Sequence, residues 1–226
     1  MAKEKKEKKE LKSDKSVELN IMLTLTTEML GTVTKDPEVY RTYIETKKPE
    51  DVNEAEYLTV EKIEEKGWTG FHRDMIQNGD GKMIKDPNGR GLFIYDYMIR
   101  GFLKHAGNVL KDILKVKNLR SKIDDYVFIS PRKIYLGKQE ADGVLERPLR
   151  AMTMQGPRVT LARSDYVNAG TEINFKIMIL PHADIDDKMI LELLSYGRLQ
   201  GLGQFRNGSY GRFTFTASQW LPDEQG

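Results

Sequence analysis

A glycine-rich stretch near the C-terminus contains the side chains with the clearest chemical potential in this sequence. It reads GRLQGLGQFRNGSYGRFTF, spans residues 197–215, and includes five glycines and three arginines. Arginine pairs with phosphate, aromatic rings stack on nucleobases, and glycine lets backbone amides approach an anion closely. The pattern predicts either a loop that receives a nucleic-acid backbone or an irregular connection whose aromatic rings pack inward. The candidate nucleic-acid-binding residues within it are Arg198, Gly201, Gly203, Phe205, Arg206, Gly208, Tyr210 and Arg212.

Other phosphate and metal motifs do not fit the sequence. No Gly-Lys-Ser/Thr follows the glycines, which excludes the phosphate loop of NTPases. The stretch follows a predicted helix instead of preceding one, which excludes a dinucleotide-binding fingerprint. The segment NGDGKMIKDPNG lacks the carboxylate spacing and the final glutamate of a calcium loop. We therefore expect no cofactor and no bound metal.

Composition restricts the class of protein. The chain has 226 residues, no cysteine and 39% hydrophobic residues, which suits a cytoplasmic protein of one or two domains. It has no apolar run of about 18 residues and no apolar leader, so we expect neither a membrane span nor a secretory signal. The net charge is +2, but residues 1–16 combine seven lysines with four acids, a local excess of +3. This tail is predicted to be disordered, either as a solubilising segment or as a weak arm for nucleic acid or another partner.

Hydrophobic periodicity predicts the elements that must position these side chains. Residues 16–26 alternate apolar and polar, which is typical of a strand with one buried face. Apolar residues at three- and four-residue spacing predict helices over 93–116 and 184–200. The remaining predicted strands cover 124–137 with an interruption at Pro131, 157–180 with a turn at 168–170, and 210–217.

This order of elements predicts the fold class. It is an α+β fold with a β-α-β-β-α-β skeleton, the ferredoxin-like pattern that RNA-recognition (RRM-like) domains also use. The core is assigned to residues 17–30 and 93–220, and residues 221–226 form a short tail. Residues 31–92 are predicted to be a large, mostly helical insertion after the first strand, because they contain proline and capping signals and end in glycine-rich loops.

The C-terminal loop, GLGQFRNGSYGRFTF, resembles the glycine-rich loop of the RAMP superfamily, the repeat-associated RNA-binding proteins of CRISPR systems. Two other segments are similar to that family. In GLFIYDYMIRGFLKHAGNVLK, Arg100, Gly101 and Lys104 stand where the family has a lysine-glycine pair and a basic residue, although larger side chains replace its small residues. EMLGTVTKD, after the first strand, is similar to the family's Leu-x-Ile-Gly segment.

The resemblance implies a divergent relative, of a kind that a phage or mobile element could encode, which holds single-stranded RNA or single-stranded DNA by its backbone. Arg100 and Lys104 would line one side of the path, and the arginines of the C-terminal loop the other. The implied assembly is a homo-oligomer or a subunit of a multi-protein complex, with no membrane involved. A second basic segment, RPLRAMTMQGPRVTLAR, adds Arg158 as a candidate contact, unless it is a hairpin with a solvated face.

Two other functions stay open at this point. Some members of the superfamily cleave RNA, with an aspartate after the first strand or with a histidine general base, which here suggests Asp36, His72 or His105. Asp36 is equally explained as a helix N-cap, and the histidines as ordinary surface residues. The remaining alternative is a structural protein of a phage particle or filament that never meets nucleic acid.

Overall fold

The computed structural model describes residues 16–35, 68–80, 83–153 and 156–219. Within these ranges the protein is an α+β structure built mostly from strands, with three α-helices, which agrees with the predicted class. The strands are β1 (Val17–Leu25), β2 (Met29–Leu30), β3 (Val33–Thr34), β4 (Trp68–Gly70), β5 (His72–Arg73), β6 (Met75–Gln77), β7 (Met83–Lys85), β8 (Leu92–Tyr95), β9 (Val127–Ser130), β10 (Lys133–Tyr135), β11 (Gly143–Thr153), β12 (Gly156–Val167), β13 (Glu172–Ile179) and β14 (Phe213–Gln219). The helices are α1 (Asp96–Leu114), α2 (Leu119–Tyr126) and α3 (Asp187–Ser195).

A four-stranded sheet lies at the centre of the protein. Its order is β14-β1-β13-β9, and each neighbouring pair is antiparallel. β1 alternates as predicted and turns one apolar face inward, with Leu23 fully buried. At the end of β1, Leu25 pairs with Phe213 of β14, and Thr24 pairs with Glu172 of β13. The loops that precede β14 and β13 therefore emerge at the same end of the sheet.

Helices α1 and α3 contribute their apolar faces to the core that this sheet buries. The Phe102 ring of α1 meets the Phe213 ring of β14 edge-on, with centroids 5.1 Å apart. α3 begins after Asp186, whose carboxylate accepts a 2.8 Å hydrogen bond from the Met189 amide, as expected of an N-cap. In the described part of the chain, no helix is long and apolar enough to cross a membrane.

The predicted helix over 93–116 begins three residues later than expected. Residues Leu92–Tyr95 form β8, which pairs with β5 and with β10 in a three-stranded sheet. Leu92, Phe93 and Ile94 are all buried, and a run of consecutive buried residues suits a strand that is covered on both faces. The short helix α2 was not predicted, because only Leu119 and Ile123 of its eight residues are buried.

A long hairpin, β11–β12, lies in the chain between β9 and β13, which are neighbours in the four-stranded sheet. Its register runs from Gly143 opposite Tyr166 to Thr153 opposite Gly156. β12 also pairs with β2 and, in parallel, with β4. The hairpin is thereby joined to the segment that follows β1.

The described part of residues 31–92 includes the segment for which the sequence predicted glycine-rich loops, and it is built of short strands and turns. That part forms β3 to β8, including a small hairpin in which Ile76 pairs with Ile84. Its apolar and aromatic side chains pair across strands, as His72 does with Phe93, instead of forming a helical stripe. The helices predicted for residues 36–67 lie outside the described residues, as does Asp36.

Candidate nucleic-acid interface

The glycine-rich segment forms a closed, tightly packed loop over residues 199–212, between α3 and β14. The Leu202 amide donates to the Gly211 carbonyl at 2.9 Å, which brings the two ends of the loop together. A Cβ atom on Gly201 would lie 1.8 Å from the Gly211 carbonyl oxygen, so only glycine permits this approach. Gly211 itself has a φ of +71°, in the left-handed region that favours glycine. These glycines close the loop on itself.

The loop is anchored to the segment that follows β1. The Gly211 amide donates to the Glu28 carbonyl at 2.7 Å, and the Gln204 amide donates to the Leu30 carbonyl at 3.3 Å. The Thr27 hydroxyl accepts from the Arg212 amide at 2.9 Å and donates to the Ser209 carbonyl at 2.8 Å. Because these backbone amides already donate inside the protein, we expect the side chains of the loop to make most of the contacts with phosphate.

An aromatic side chain stands at the tip of the loop. Phe205 is 46% exposed and has a φ of +54°, and the Tyr210 ring lies 5.8 Å from its ring centroid. Gly208 supports the ring, since a Cβ atom there would lie 2.3 Å from the Phe205 ring. On the neighbouring hairpin, the Arg147 guanidinium lies 4.2 Å from the Phe205 ring centroid. A half-exposed ring held between an arginine and a tyrosine suits base stacking.

The arginines of the loop have no acidic partners in the described ranges. Arg198 is exposed, and its only hydrogen bond found there is from its Nε to the Ser195 carbonyl at 3.4 Å. Arg206 lies in a 3-10 turn beside Phe205, and the buried Nε of Arg212 has no hydrogen-bond partner among the described residues. We call the set Arg147, Phe205, Arg206, Tyr210 and Arg212 the loop cluster.

The other predicted contacts lie on α1 and on the β11–β12 hairpin, outside the glycine-rich loop. Lys104 of α1 pairs with Asp124 of α2, with 2.5 Å between Nζ and Oδ2. The Arg100 guanidinium lies 6.0 Å from the Phe128 ring centroid, at the β9 edge of the sheet. Arg158 lies in β12, opposite Ala151 in the hairpin register.

The two candidate catalytic histidines in the described ranges have different surroundings. His105 of α1 lies beside the start of the loop, where its Nε2 is 2.7 Å from the Gln200 Oε1. His72 of β5 stacks on Phe93 and meets Tyr95 edge-on. Burial lowers the pKa of His72 from 6.5 to about 4, so that this imidazole is neutral at pH 7. Neither histidine contacts a second catalytic side chain in the described residues.

A second basic surface surrounds a cavity of about 730 Å³, which is lined by Arg90, Lys133, Tyr135 and Lys138, among others. We call these four residues the lysine groove. Lys133 pairs with Asp74 at 2.8 Å, and Lys138 pairs with Asp142 at 2.9 Å.

The carboxylates around the lysine groove are held in their charged form. The hydrogen bond from Lys133 is the largest cause that lowers the pKa of Asp74, and Asp74 in turn raises the pKa of Lys133. Arg73 and Lys85 together lower the pKa of Glu140 to about 2. The lysines of the groove are thus neutralised by carboxylates, whereas the Arg90 guanidinium lies 4.2 Å from the Tyr135 ring centroid.

Arg147 is the member of the loop cluster that the sequence did not single out. It lies in β11, opposite Ala162, and its contact with Phe205 joins residues 58 positions apart in the chain. Its neighbour on the hairpin, Arg163, pairs instead with Glu146 at 2.7 Å. The sequence showed only a basic segment, because the distinction between these two arginines arises from tertiary contacts.

Within the described ranges, no cluster of three or more histidine or acidic side chains could hold a metal ion.

Comparisons with known proteins give structural similarity only. No family model matches the sequence, and no curated protein matches it. The fold is similar to a chain of the type III-B Cmr-beta complex bound to cognate target RNA, with 12% identity and a TM-score of 0.49 over 91% of this chain. This chain spans 61% of the length of that one. It is also similar to a chain of a type IV-B CRISPR complex, with 12% identity and a TM-score of 0.42 over 92% of both chains.

Proposed function

We propose that this protein binds single-stranded RNA, or single-stranded DNA, through the loop cluster, as a RAMP-like subunit of a nucleoprotein assembly. The observation that carries the proposal is the coincidence of a half-exposed Phe205 with arginines that have no acidic partner in the described residues. Unpaired guanidinium groups suit phosphate, and an exposed ring suits any base. Such a site favours single strands with little sequence preference.

We also propose that the four-stranded sheet and its helices form a ferredoxin-like core. The order β14-β1-β13-β9, with α1 between β1 and β9 and α3 between β13 and β14, supports this assignment. In this core the loop cluster stands at the end of the sheet where β1 finishes. The open face of the sheet carries Glu172, Asn174 and Lys176 in β13, and beyond them Met178 lies opposite Phe128 of β9. We assign base stacking to the loop because Phe205 lies there beside arginines that have no acidic partner among the described residues.

Binding to the backbone has a measurable signature. Each phosphate neutralised on a single strand adds about −0.7 to the slope of log K against log salt. Contacts from Arg206 and Arg212 alone thus predict a slope of about −1.4 or steeper.

The direct test is a titration of labelled single-stranded RNA and DNA at 50 and 200 mM salt, with a blunt duplex of the same sequence for comparison. We expect the single strands to bind more tightly than the duplex, and the affinity to fall at the higher salt. An absence of binding at 50 mM salt would overturn the proposal. If the protein then forms large assemblies free of nucleic acid, the structural-protein alternative takes its place.

Endoribonuclease activity is the second candidate, because His105 lies beside the start of the loop. Its hydrogen-bond partner Gln200 also accepts from the Tyr196 hydroxyl at 2.9 Å, which fixes a polar cluster next to the proposed RNA path. Incubation with labelled RNA, with and without magnesium, separates the two functions. If the RNA is cut, His105→Gln should abolish cleavage and leave binding unchanged. Cleavage that survives His105→Gln, His72→Phe and Asp36→Asn would exclude all three candidate residues.

A further inference from the structure

The Arg147 guanidinium is partly buried and has no acidic partner among the described residues. Its Nε and Nη1 atoms are buried and have no hydrogen-bond partner among the described residues. The Phe205 ring lies over it, and burial lowers the pKa of Arg147, with a smaller opposing effect from Tyr210. Burial of guanidinium nitrogens without hydrogen-bond partners costs free energy, which a cation–π contact offsets only in part. The free protein thus holds an arginine that a phosphate would stabilise.

The covering ring is itself held in an uncommon conformation. Phe205 has a φ of +54°, in the left-handed region that few non-glycine residues adopt. Phe205 directly precedes a 3-10 turn formed by Arg206–Gly208, in which the Gly208 amide donates to the Phe205 carbonyl at 2.9 Å. The ring is 46% exposed, so no layer of protein prevents it from moving outward. Two independent features therefore meet at one contact: a half-buried arginine with two unpaired nitrogens, and an exposed ring on a backbone in the left-handed region.

We propose that Arg147 is a phosphate-binding residue that Phe205 covers in the free protein, and that a single-stranded nucleic acid displaces the ring to reach it. A phosphate then accepts hydrogen bonds from the guanidinium, and the displaced ring stacks on an adjacent base. This inference rests on the proposed function, and it adds a residue from the β11–β12 hairpin to the arginines of the loop.

The test compares the salt dependence of binding in matched variants. Labelled single-stranded RNA, and DNA of the same sequence, are titrated at several salt concentrations against wild type, Arg147→Gln, Arg147→Lys and Arg163→Gln. Arg163 is the control, because it lies on the same hairpin but is paired with Glu146. Arg147→Gln should make the slope of log K against log salt shallower by about 0.7, the value for one lost phosphate contact. Arg147→Lys and Arg163→Gln should keep the wild-type slope.

A further variant examines the cover. Phe205→Ala should weaken binding about tenfold at each salt concentration, because a stacked base is lost, yet keep the wild-type slope. Melting curves establish which variants fold, and Arg147→Met replaces Arg147→Gln if the latter does not, since methionine keeps an aliphatic stem against the ring. A wild-type slope for a folded Arg147→Gln or Arg147→Met overturns this inference alone. Failure of the wild type to bind any single strand overturns the proposed function as well.

Discussion

The loop cluster and the lysine groove have similar residues but opposite electrostatic circumstances. Each combines several cations with exposed or half-buried aromatic rings. In the groove, Lys133 and Lys138 have carboxylate partners at 2.8 and 2.9 Å. In the loop cluster, no arginine has an acidic partner within the described ranges, and Arg147 and Arg212 have buried nitrogen atoms without any hydrogen bond. Pairing with carboxylates, and not the number of cations, therefore distinguishes the lysine groove from the proposed phosphate-binding surface.

The largest expected effect sets the two surfaces directly against each other. Replacement of Arg206 and Arg212 by alanine should weaken binding of single-stranded RNA about hundredfold, because two charge-assisted hydrogen bonds of about 1.5 kcal/mol each are lost. Replacement of Lys133 and Lys138 by alanine removes the same charge from the groove and should change the affinity less than about twofold. Fluorescence anisotropy at one fixed salt concentration measures both. Equal losses for the two double variants would contradict the distinction.

Gly201→Ala tests the packing of the loop without changing its charge. Gly201→Ala should lower the free energy of unfolding by about 2 kcal/mol, because the added Cβ atom collides with the Gly211 carbonyl. Gly101→Ala is the matched control. It lies exposed within α1, and a Cβ atom there meets nothing within 4 Å. This second change should raise the free energy of unfolding by about 0.5–1 kcal/mol, since alanine favours helix. Urea denaturation measures both, and equal signs for the two changes would refute the packing role of Gly201.

The smallest expected effect is on the pH dependence of stability, and it involves His72 in the strands beside the lysine groove. In the unfolded chain His72 takes up a proton near its ordinary pKa of 6.5, whereas the folded protein resists protonation until about pH 4. Stability contributed by the neutral imidazole is therefore lost as the pH falls from 6.5 towards 4. His72→Phe should reduce the fall in Tm between pH 7 and pH 4.5. The contribution of Glu140, whose pKa is about 2, is lost at lower pH and does not obscure this window. An unchanged fall in Tm for His72→Phe would contradict the assignment.

Local patterns were sufficient for much of the fold. The period-two alternation of residues 16–26 predicted β1, and the helical stripes predicted α1 and α3, because each pattern reflects one buried face. β8 escaped prediction because a short run of buried residues looks the same in a strand and in a helix. The described strands of residues 68–92 were not predicted either. Their contacts join separate segments of the chain, as in the stacking of His72 on Phe93.

The candidate site was predictable only in composition. The sequence showed that arginines and aromatic rings gather near the C-terminus, but it did not show the packing role of the glycines. Several loop amides donate inside the protein, and Gly201 serves close packing. The pairing of Lys104 with Asp124 and the cover of Phe205 over Arg147 depend on contacts between distant segments. Neither contact can be inferred from the amino-acid sequence alone.

Photo-crosslinking tests the central distinction most directly. Single-stranded RNA that contains 4-thiouridine is irradiated with the wild-type protein, and crosslinked tryptic peptides are identified by mass spectrometry. Trypsin releases residues 199–206, with Phe205, and residues 207–212, with Tyr210, whereas residues 134–138 carry Tyr135 of the lysine groove. Binding through the loop cluster predicts adducts on the first two peptides. Adducts on residues 134–138 with none on residues 199–212 would contradict it.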